Sequence, residues 1–281
     1  MRYLSLAAIV SSSLLFPTFA FASHPQFLSV SVLETGNSFE LQTKNSAGGV
    51  SISVADLGND NIPELIVGNG LGSEPRVHVL RQDGSEIGSF LAYTESLGVG
   101  INVITCDLDG NDVSEIITAP QRGGGPHVRV FDGFGKPIGN GMFAYNEAFR
   151  GGTNLACGDL DNDSRDELVT LPATGGGPHV RVWNLNDQSL ELTKEFFAFD
   201  ANDRSGLVGT IDNQKLFVSQ QHTNTPIIKT FTLEKNAITE NEKQISINST
   251  GVASIVIHNQ EILLTTTSNA FLYNVNTNKQ T

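Results

Sequence analysis

Three short acidic loops carry the residues with the clearest chemistry, and we call them loop one (56–64), loop two (107–115) and loop three (159–167). Loops two and three place oxygen-bearing side chains at their first, third, fifth and ninth positions: Asp107, Asp109, Asn111 and Glu115, and then Asp159, Asp161, Asp163 and Glu167. Calcium takes about six to eight oxygen ligands, which alternating acidic residues in a tight turn can supply. The pattern predicts two calcium sites, each completed by the backbone carbonyl at position seven, from Val113 and Arg165.

Loop one is a weaker candidate for a third site. It has Gly58 at the third position and retains Asp56, Asp60 and Glu64, with Ile62 at position seven. Magnesium is the alternative ion, although it prefers a stricter octahedron with retained water. The alternative without a metal is a solvated turn in which Asp and Asn serve only as turn formers. Because the full pattern occurs twice, we favour metal binding.

The loops belong to a longer internal repeat. Asp56, Asp107 and Asp159 are equivalent, so the offsets are 51 and 52 residues. Two further landmarks keep this spacing: Gly-Gly-Gly-Pro-His-Val-Arg-Val at 123–130 and 175–182 with a worn copy at 75–79, and a Leu/Phe-Ala-Tyr/Phe segment at 91–93, 143–145 and 197–199. A fixed order at a fixed period is the mark of a repeat architecture.

Each repeat contains four short stretches typical of strands, separated by Gly, Pro and Asp. In the second repeat they are 101–105, 115–119, 127–131 and 141–145. Four-stranded units of this size are typical of β-propeller blades. We therefore predict an all-β propeller of about five blades. The last two, at 207–248 and 252–275, are degenerate, and N-terminal strands at 27–33 and 38–43 are expected to complete the last blade.

The N-terminal 22 residues have the pattern of a signal peptide. A positive charge at Arg2 precedes a short apolar run, and Ala20-Phe21-Ala22 offers small residues for cleavage. The sequence thus predicts a signal peptide at 1–22 and one propeller domain at 23–281, with clear repeats at 50–199. The mature chain is expected to be secreted or otherwise extracytoplasmic, in the periplasm or at the cell surface, with no membrane span.

The charge balance narrows the class of partner. The chain of 281 residues has 17 Lys and Arg against 30 Asp and Glu, a net charge of −13. Nucleic-acid binding depends on Lys and Arg neutralising phosphates, so this balance argues against it. A protein or glycan ligand is expected instead, and we predict a monomer.

The acidic loops, with the Thr118-Ala119-Pro120 turn after loop two, resemble the FG-GAP or VCBS-type repeat that builds the propeller of integrin α chains. The Gly-Gly-Gly-Pro-His-Val-Arg-Val and Phe-Ala-Tyr segments are similar to its bacterial branch. The resemblance covers about 50–199 and implies calcium in the hairpin between the first two strands of a blade, with the ligands named above. Position nine is Glu where the family prefers Asp, and position six, where it prefers Gly, is Asn61, Asp112 or Ser164.

Two other groups of residues could carry chemistry. His127 with Arg129, and His179 with Arg181, repeat on strands, and each pair shares one face. They could bind a glycan or an anion, but a role between blades is favoured because repeat-wide residues usually serve the repeat. Two cysteines, at 106 and 157, precede consecutive loops, and both a disulfide and free thiols are compatible with the sequence.

Together these features predict a secreted, calcium-binding β-propeller that acts as a binding or adhesion module for a protein or glycan, with calcium mainly structural. The alternative is a polysaccharide-active enzyme, a lyase or hydrolase, or a lectin that uses the propeller funnel. No nucleophile elbow or zinc-protease motif occurs in the sequence, so we expect no enzyme.

Overall fold

The computed structural model describes residues 18–20, 27–32, 37–42, 50–234, 237–241, 244–246, 252, 254–258, 261–265, 270–274 and 279–280. The regular elements in these ranges are all β-strands. They are β1 (Thr18–Ala20), β2 (Phe27–Val32), β3 (Asn37–Gln42), β4 (Val50–Ala55), β5 (Glu64–Asn69), β6 (Arg76–Leu80), β7 (Glu86–Leu91), β8 (Ile101–Cys106), β9 (Glu115–Pro120), β10 (His127–Phe131), β11 (Pro137–Phe143), β12 (Thr153–Gly158), β13 (Glu167–Pro172), β14 (His179–Asn186), β15 (Ser189–Phe197), β16 (Leu207–Asp212), β17 (Lys215–Gln220), β18 (Ile227–Glu234), β19 (Ala237–Glu240), β20 (Ile245–Ser246), β21 (Ser254–His258), β22 (Glu261–Thr265), β23 (Ala270–Asn274) and β24 (Lys279–Gln280).

Successive strands pair in antiparallel sheets that follow the repeat. We call these sheets blade one (β4–β7), blade two (β8–β11), blade three (β12–β15), blade four (β16–β20) and blade five (β21–β24). In blade four, β19 and β20 both pair with β18. The all-β prediction is confirmed, and the four-stranded antiparallel sheets are consistent with propeller-like blades.

The first strand of each blade lies innermost. β4 contacts β8, β8 contacts β12, β12 contacts β16, and β16 contacts β21. The first two strands of blades one and two are almost wholly buried, whereas the fourth strands, β7 and β11, contain no buried residue. The hydrophobic core lies between adjacent blades: one cluster joins Ile104 and Val128 of blade two to Leu155, Leu168 and Trp183 of blade three.

Polar side chains also connect the innermost strands. The Ser51 hydroxyl accepts a hydrogen bond from Val103 N at 3.0 Å, which joins blade one to blade two. The Asn102 amide donates to Thr153 O at 2.8 Å, and the equivalent Asn154 donates to Leu207 O at 2.7 Å. These groups are buried, where an unpaired donor would cost about 1–3 kcal/mol, so the bonds fix the stacking of the blades.

Among the described residues, the N-terminal strands pair with each other and not with the last blade, contrary to the prediction. β2 and β3 pair with each other in a separate two-stranded sheet, and blade five takes its fourth strand, β24, from the C-terminal segment. Because the last blade finds that strand locally, it needs none from the N-terminus. Of the predicted signal peptide, the described part is Thr18–Ala20, which pairs with β4; the rest of 1–22 lies outside the described residues.

The fourth strand of blade two also differs from its prediction. It runs from Pro137 to Phe143 and pairs with β10 across a register shift, so the segment 144–145 follows the strand. Gly139 and Gly141 have positive φ values of 65° and 72°, and a Cβ at Gly139 would meet the backbone of Gln188. The glycines that break the sequence pattern therefore lie within the strand.

No helix among the described residues is long and apolar enough to cross a membrane.

Candidate metal centre

The position-nine glutamates begin the second strands and reach back into their loops. Glu115 Oε2 accepts a hydrogen bond from Leu108 N at 2.9 Å, and Glu167 Oε2 accepts one from Leu160 N at 2.8 Å. Both glutamates are buried, with exposed fractions of 4% and 3%. The Oε2 atom of each carboxylate thus fixes the loop. Because a buried charge is costly unless it is paired, a cation beside each carboxylate would stabilise its charged form.

The position-one aspartates organise the turn. Asp107 accepts hydrogen bonds from the N–H groups of Gly110, Asn111 and Asp112 at 2.9–3.0 Å. Asp159 accepts equivalent bonds from Asn162 N at 2.6 Å and Ser164 N at 3.1 Å. These bonds turn the backbone N–H groups inward and hold the aspartate at the centre of the loop.

Position six has a left-handed backbone in all three loops. The φ values are 63° at Asn61, 65° at Asp112 and 69° at Ser164. Asn and Asp tolerate this region better than other residues with a side chain, whereas Ser carries more strain. Gly would adopt this positive φ with the least strain. This chain instead has Asn, Asp and Ser at position six.

Two triads of carboxylates converge. Each residue of Asp107, Asp109 and Glu115 offers one oxygen, and these oxygens lie within 4.8 Å of one another. Asp159, Asp161 and Glu167 form the equivalent triad. The structure therefore brings together positions one, three and nine of loops two and three.

The remaining predicted ligands have local partners. The side-chain oxygens of Asn111 and Asp163 accept hydrogen bonds from Val113 N and Arg165 N at 2.7 and 2.9 Å. Position five therefore shapes the turn that presents the position-seven carbonyl.

Loop one forms no carboxylate triad of this kind among the described residues. Asp56 accepts bonds from Asp60 N at 3.1 Å and Asn61 N at 2.6 Å, Asp60 Oδ1 accepts one from Ile62 N at 2.9 Å, and Glu64 accepts one from Leu57 N. Loop one therefore keeps the same turn, but Gly58 provides no side-chain oxygen at the third position.

The carboxylates of each triad disfavour one another's charge. Burial, and then the nearby Asp109 and Asp107, raise the pKa of Glu115 to about 7. Burial, followed by Asp161 and Asp163, raises the pKa of Glu167 to about 7 as well. A divalent cation bound among the carboxylates would favour their charged forms and lower both pKa values. The donor set, hard oxygens around a crowded negative charge, fits calcium or magnesium.

Loops two and three are joined directly. Asp166 Oδ2 accepts a hydrogen bond from Asp107 N at 3.0 Å, and Asp166 N donates to Asp107 O at 2.8 Å. Arg165 Nε donates to Asp109 O at 3.1 Å. These roles of the Arg165 and Asp166 side chains were not predicted from the sequence. The difference between loops could have pointed to them, since loop two has Val113 and Ser114 at the equivalent positions.

A disulfide bond between Cys106 and Cys157 lies beside this contact. The Cα atoms are 6.0 Å apart, and the bond links the ends of the innermost strands β8 and β12. It decides between the two alternatives left open by the sequence. Asp166 lies close to both sulfurs, but sulfurs bonded to each other are not thiolate ligands, so this trio is no metal site.

The repeated arginines connect neighbouring blades, whereas the histidine side chains bond within their own blades. Arg129 donates to Ala92 O of the preceding repeat, and Arg181 donates to Ala144 O at 2.7 Å and to Glu195 at 3.0 Å. The Phe-Ala-Tyr segment also joins blades two and three, since Tyr145 Oη donates a hydrogen bond to His179 O at 3.1 Å. The favoured interpretation, a role between blades, is confirmed for the arginines.

No family model matches the chain, and no curated protein matches it. Among solved structures, the chain is similar to one in a mitotic checkpoint complex, with 11% identity, a TM-score of 0.51, and coverage of 95% of this chain and 89% of that one. It is also similar to the rhamnogalacturonan lyase YesW, with 12% identity and a TM-score of 0.47. That match covers 89% of this chain, which spans 60% of the lyase chain. The likeness to the checkpoint chain supports a β-propeller-type fold.

Proposed function

We propose that this chain is an extracytoplasmic, five-bladed propeller of the FG-GAP type that binds a protein or glycan partner, and that calcium in loops two and three stabilises it. The observation that carries the cation role is the pair of equivalent carboxylate triads, each with its oxygens within 4.8 Å. One isolated acidic turn would be ordinary. Two copies with the same buried glutamate and the same turn hydrogen bonds support a cation role.

The cation would hold the inter-blade contact together. Asp107 and Asp109 would bind it through their side chains, while their backbone groups bond to Asp166 and Arg165 of the next loop. A cation in loop two would therefore stabilise the contact with loop three. This supports a structural role for calcium.

A thermal melt of the full chain, in excess calcium and then in EDTA, tests the cation role. A cation that binds only the folded state stabilises it by about 2.7 kcal/mol per site at a hundredfold excess over Kd. We therefore expect a marked rise in the unfolding midpoint with calcium, and a smaller rise with magnesium.

Asp161→Ala provides the sharpest variant. The Asp161 side chain accepts no hydrogen bond from the described residues, so its removal should leave the EDTA midpoint unchanged or slightly higher, and should abolish the loop-three part of the calcium response. Glu95→Gln, an exposed carboxylate in blade one outside the triads, is the matched control. An equal calcium response in Asp161→Ala and wild type would contradict the assignment.

A further inference from the structure

A second repeated constellation lies beside the fourth strands of blades two and three. Each copy combines a glycine at the end of the Gly-Gly-Gly run, a histidine, an exposed phenylalanine and an exposed arginine. We call them the arginine sites: Gly125, His127, Phe143 and Arg150 in blade two, and Gly177, His179, Phe197 and Arg204 in blade three.

Both arginines are held by backbone carbonyls through one nitrogen only. Arg150 Nη1 donates to the carbonyls of Glu147 and Phe149, and Arg204 Nη1 donates to those of Ala201 and Asp203, at 2.7–2.8 Å for the second pair. Within the described residues, the Nε–Nη2 edge of each guanidinium has no partner. That edge is one that binds a carboxylate through two parallel hydrogen bonds.

In each copy an exposed phenylalanine ring packs against the histidine, and in blade two this ring and the guanidinium both lie near Gly125. Phe143 and Phe197 are 45% and 57% exposed, and each is backed by a histidine with the ring centroids 4.8 Å apart. A Cβ placed on Gly125 would lie 3.7 Å from Arg150 Nη1 and 3.9 Å from Phe143 Cε1. The glycine therefore leaves open the space where the charged and apolar groups meet.

Blade one shows what happens when the constellation is lost. Glu74 replaces the glycine, Leu91 replaces the phenylalanine and Gly98 stands at the arginine position. Arg76, at the histidine position, binds Glu74 Oε2 through Nε at 3.2 Å and Nη2 at 3.1 Å. Blade one therefore lacks the equivalent arginine, and the arginine that it has at the histidine position is already paired with the chain's own carboxylate.

We propose that the arginine sites bind an acidic polysaccharide, each site taking one uronate residue. The carboxylate would accept hydrogen bonds from Nε and Nη2 of Arg150 or Arg204, and the apolar face of the pyranose ring would pack on Phe143 or Phe197. Equivalent sites on adjacent blades suit a polymer with a repeating carboxylate, because the second contact is intramolecular. The inference rests on the proposed binding function but needs no cation.

The net charge of −13 does not prevent this contact. Repulsion between the acidic chain and a polyanion is screened beyond about 8 Å at physiological ionic strength. Carboxylates near the blade-three site are already engaged: Asp203 accepts hydrogen bonds from Ser205 N and Gln220, and Glu195 pairs with His179 and Arg181. These carboxylates therefore do not occupy the free arginine edges, which stay open to a carboxylate of the polymer.

The test is titration calorimetry of the full chain in EDTA with three polyuronates: polygalacturonate, alginate and hyaluronate. We expect at least one to bind, and its carboxyl-reduced form not to bind. Arg150→Gln and Arg204→Gln should each weaken binding by about tenfold to a hundredfold, the range expected for losing a hydrogen-bonded contact between charged groups. Arg81→Gln, an exposed arginine at a turn of blade one, is the matched control and should bind as wild type.

Several results would overturn the proposal: binding of none of the three polymers, equal binding by the Arg150→Gln/Arg204→Gln double variant, equal binding of the carboxyl-reduced polymer, or equal binding of poly-glutamate, which lacks the sugar ring. Arg150→Lys keeps the charge but loses the paired donors and should also weaken binding. Unchanged EDTA midpoints show that these variants fold. The calcium melt reports separately on the proposed cation role, so the two can fail independently.

Discussion

Replacing the disulfide with Cys106→Ala/Cys157→Ala should markedly destabilise the chain. The bond closes a segment of 51 residues, for which the chain-entropy relation gives a loss of about 4 kcal/mol. Cys106 is 1% exposed and lies in the core between blades two and three, so the truncated side chain adds a packing cost. The expected loss of unfolding free energy is about 4–5 kcal/mol, a large share of a typical domain's stability.

The assay is urea unfolding followed by Trp183 fluorescence and by far-UV circular dichroism. Trp183 is the one tryptophan in the sequence and lies in the same core cluster as Cys106. Coincident transitions would justify a two-state free energy. Reduction of the wild type with dithiothreitol should reproduce most of the loss and should not affect the double variant, which separates cross-linking from packing. A loss below about 1 kcal/mol by both routes would refute the reasoning.

Three further predictions follow from the same contacts. Because burial raises the pKa values of Glu115 and Glu167, the folded chain in EDTA binds more protons than the unfolded chain between about pH 4.5 and pH 7. The free energy of unfolding should therefore fall as the pH rises through that range, and excess calcium should flatten this dependence. A free energy of unfolding that does not change with pH in EDTA would contradict the burial argument. Tyr145→Phe should cost about 1–2 kcal/mol in urea unfolding, because His179 O loses its buried donor, and no loss would show that water replaces it. Ser164→Gly should raise the EDTA midpoint by relieving about 1 kcal/mol of left-handed strain, whereas a fall would mean that the glycine loosens the loop.

The repeat made much of the fold and the candidate centre predictable. Both triads could be identified from the sequence, since each has Asp at positions one and three and Glu at position nine. In a tight hairpin between two strands, alternate side chains converge. The strands that flank the loops were placed to within a residue, since β-branched runs bounded by Gly and Asp leave few alternatives.

Contacts between blades were harder to predict. The disulfide and the Asp166 contact with loop two depend on how far one blade is rotated relative to the next, and spacing along the chain does not contain that quantity. Arg150 and Arg204 were missed for a related reason: the residues around them differ between repeats, and only the packed structure brings each next to its glycine. The prediction that N-terminal strands complete the last blade was wrong because β24 lies beyond the last strand pattern that the sequence shows.

The inter-blade contacts also determine the order in which backbone amides should exchange with deuterated solvent. Blades two and three share the disulfide, the Asp166 contact, Tyr145 and Arg181. Blades three and four share a hydrophobic cluster and the Asn154 bond, but their described contacts include neither a disulfide nor a contact between acidic loops. In repeat architectures, stability is set by nearest-neighbour interfaces, and opening begins where these are weakest. Strands β8, β9, β12 and β13 should therefore form the slowest-exchanging unit, and the C-terminal blades should open first without unfolding it.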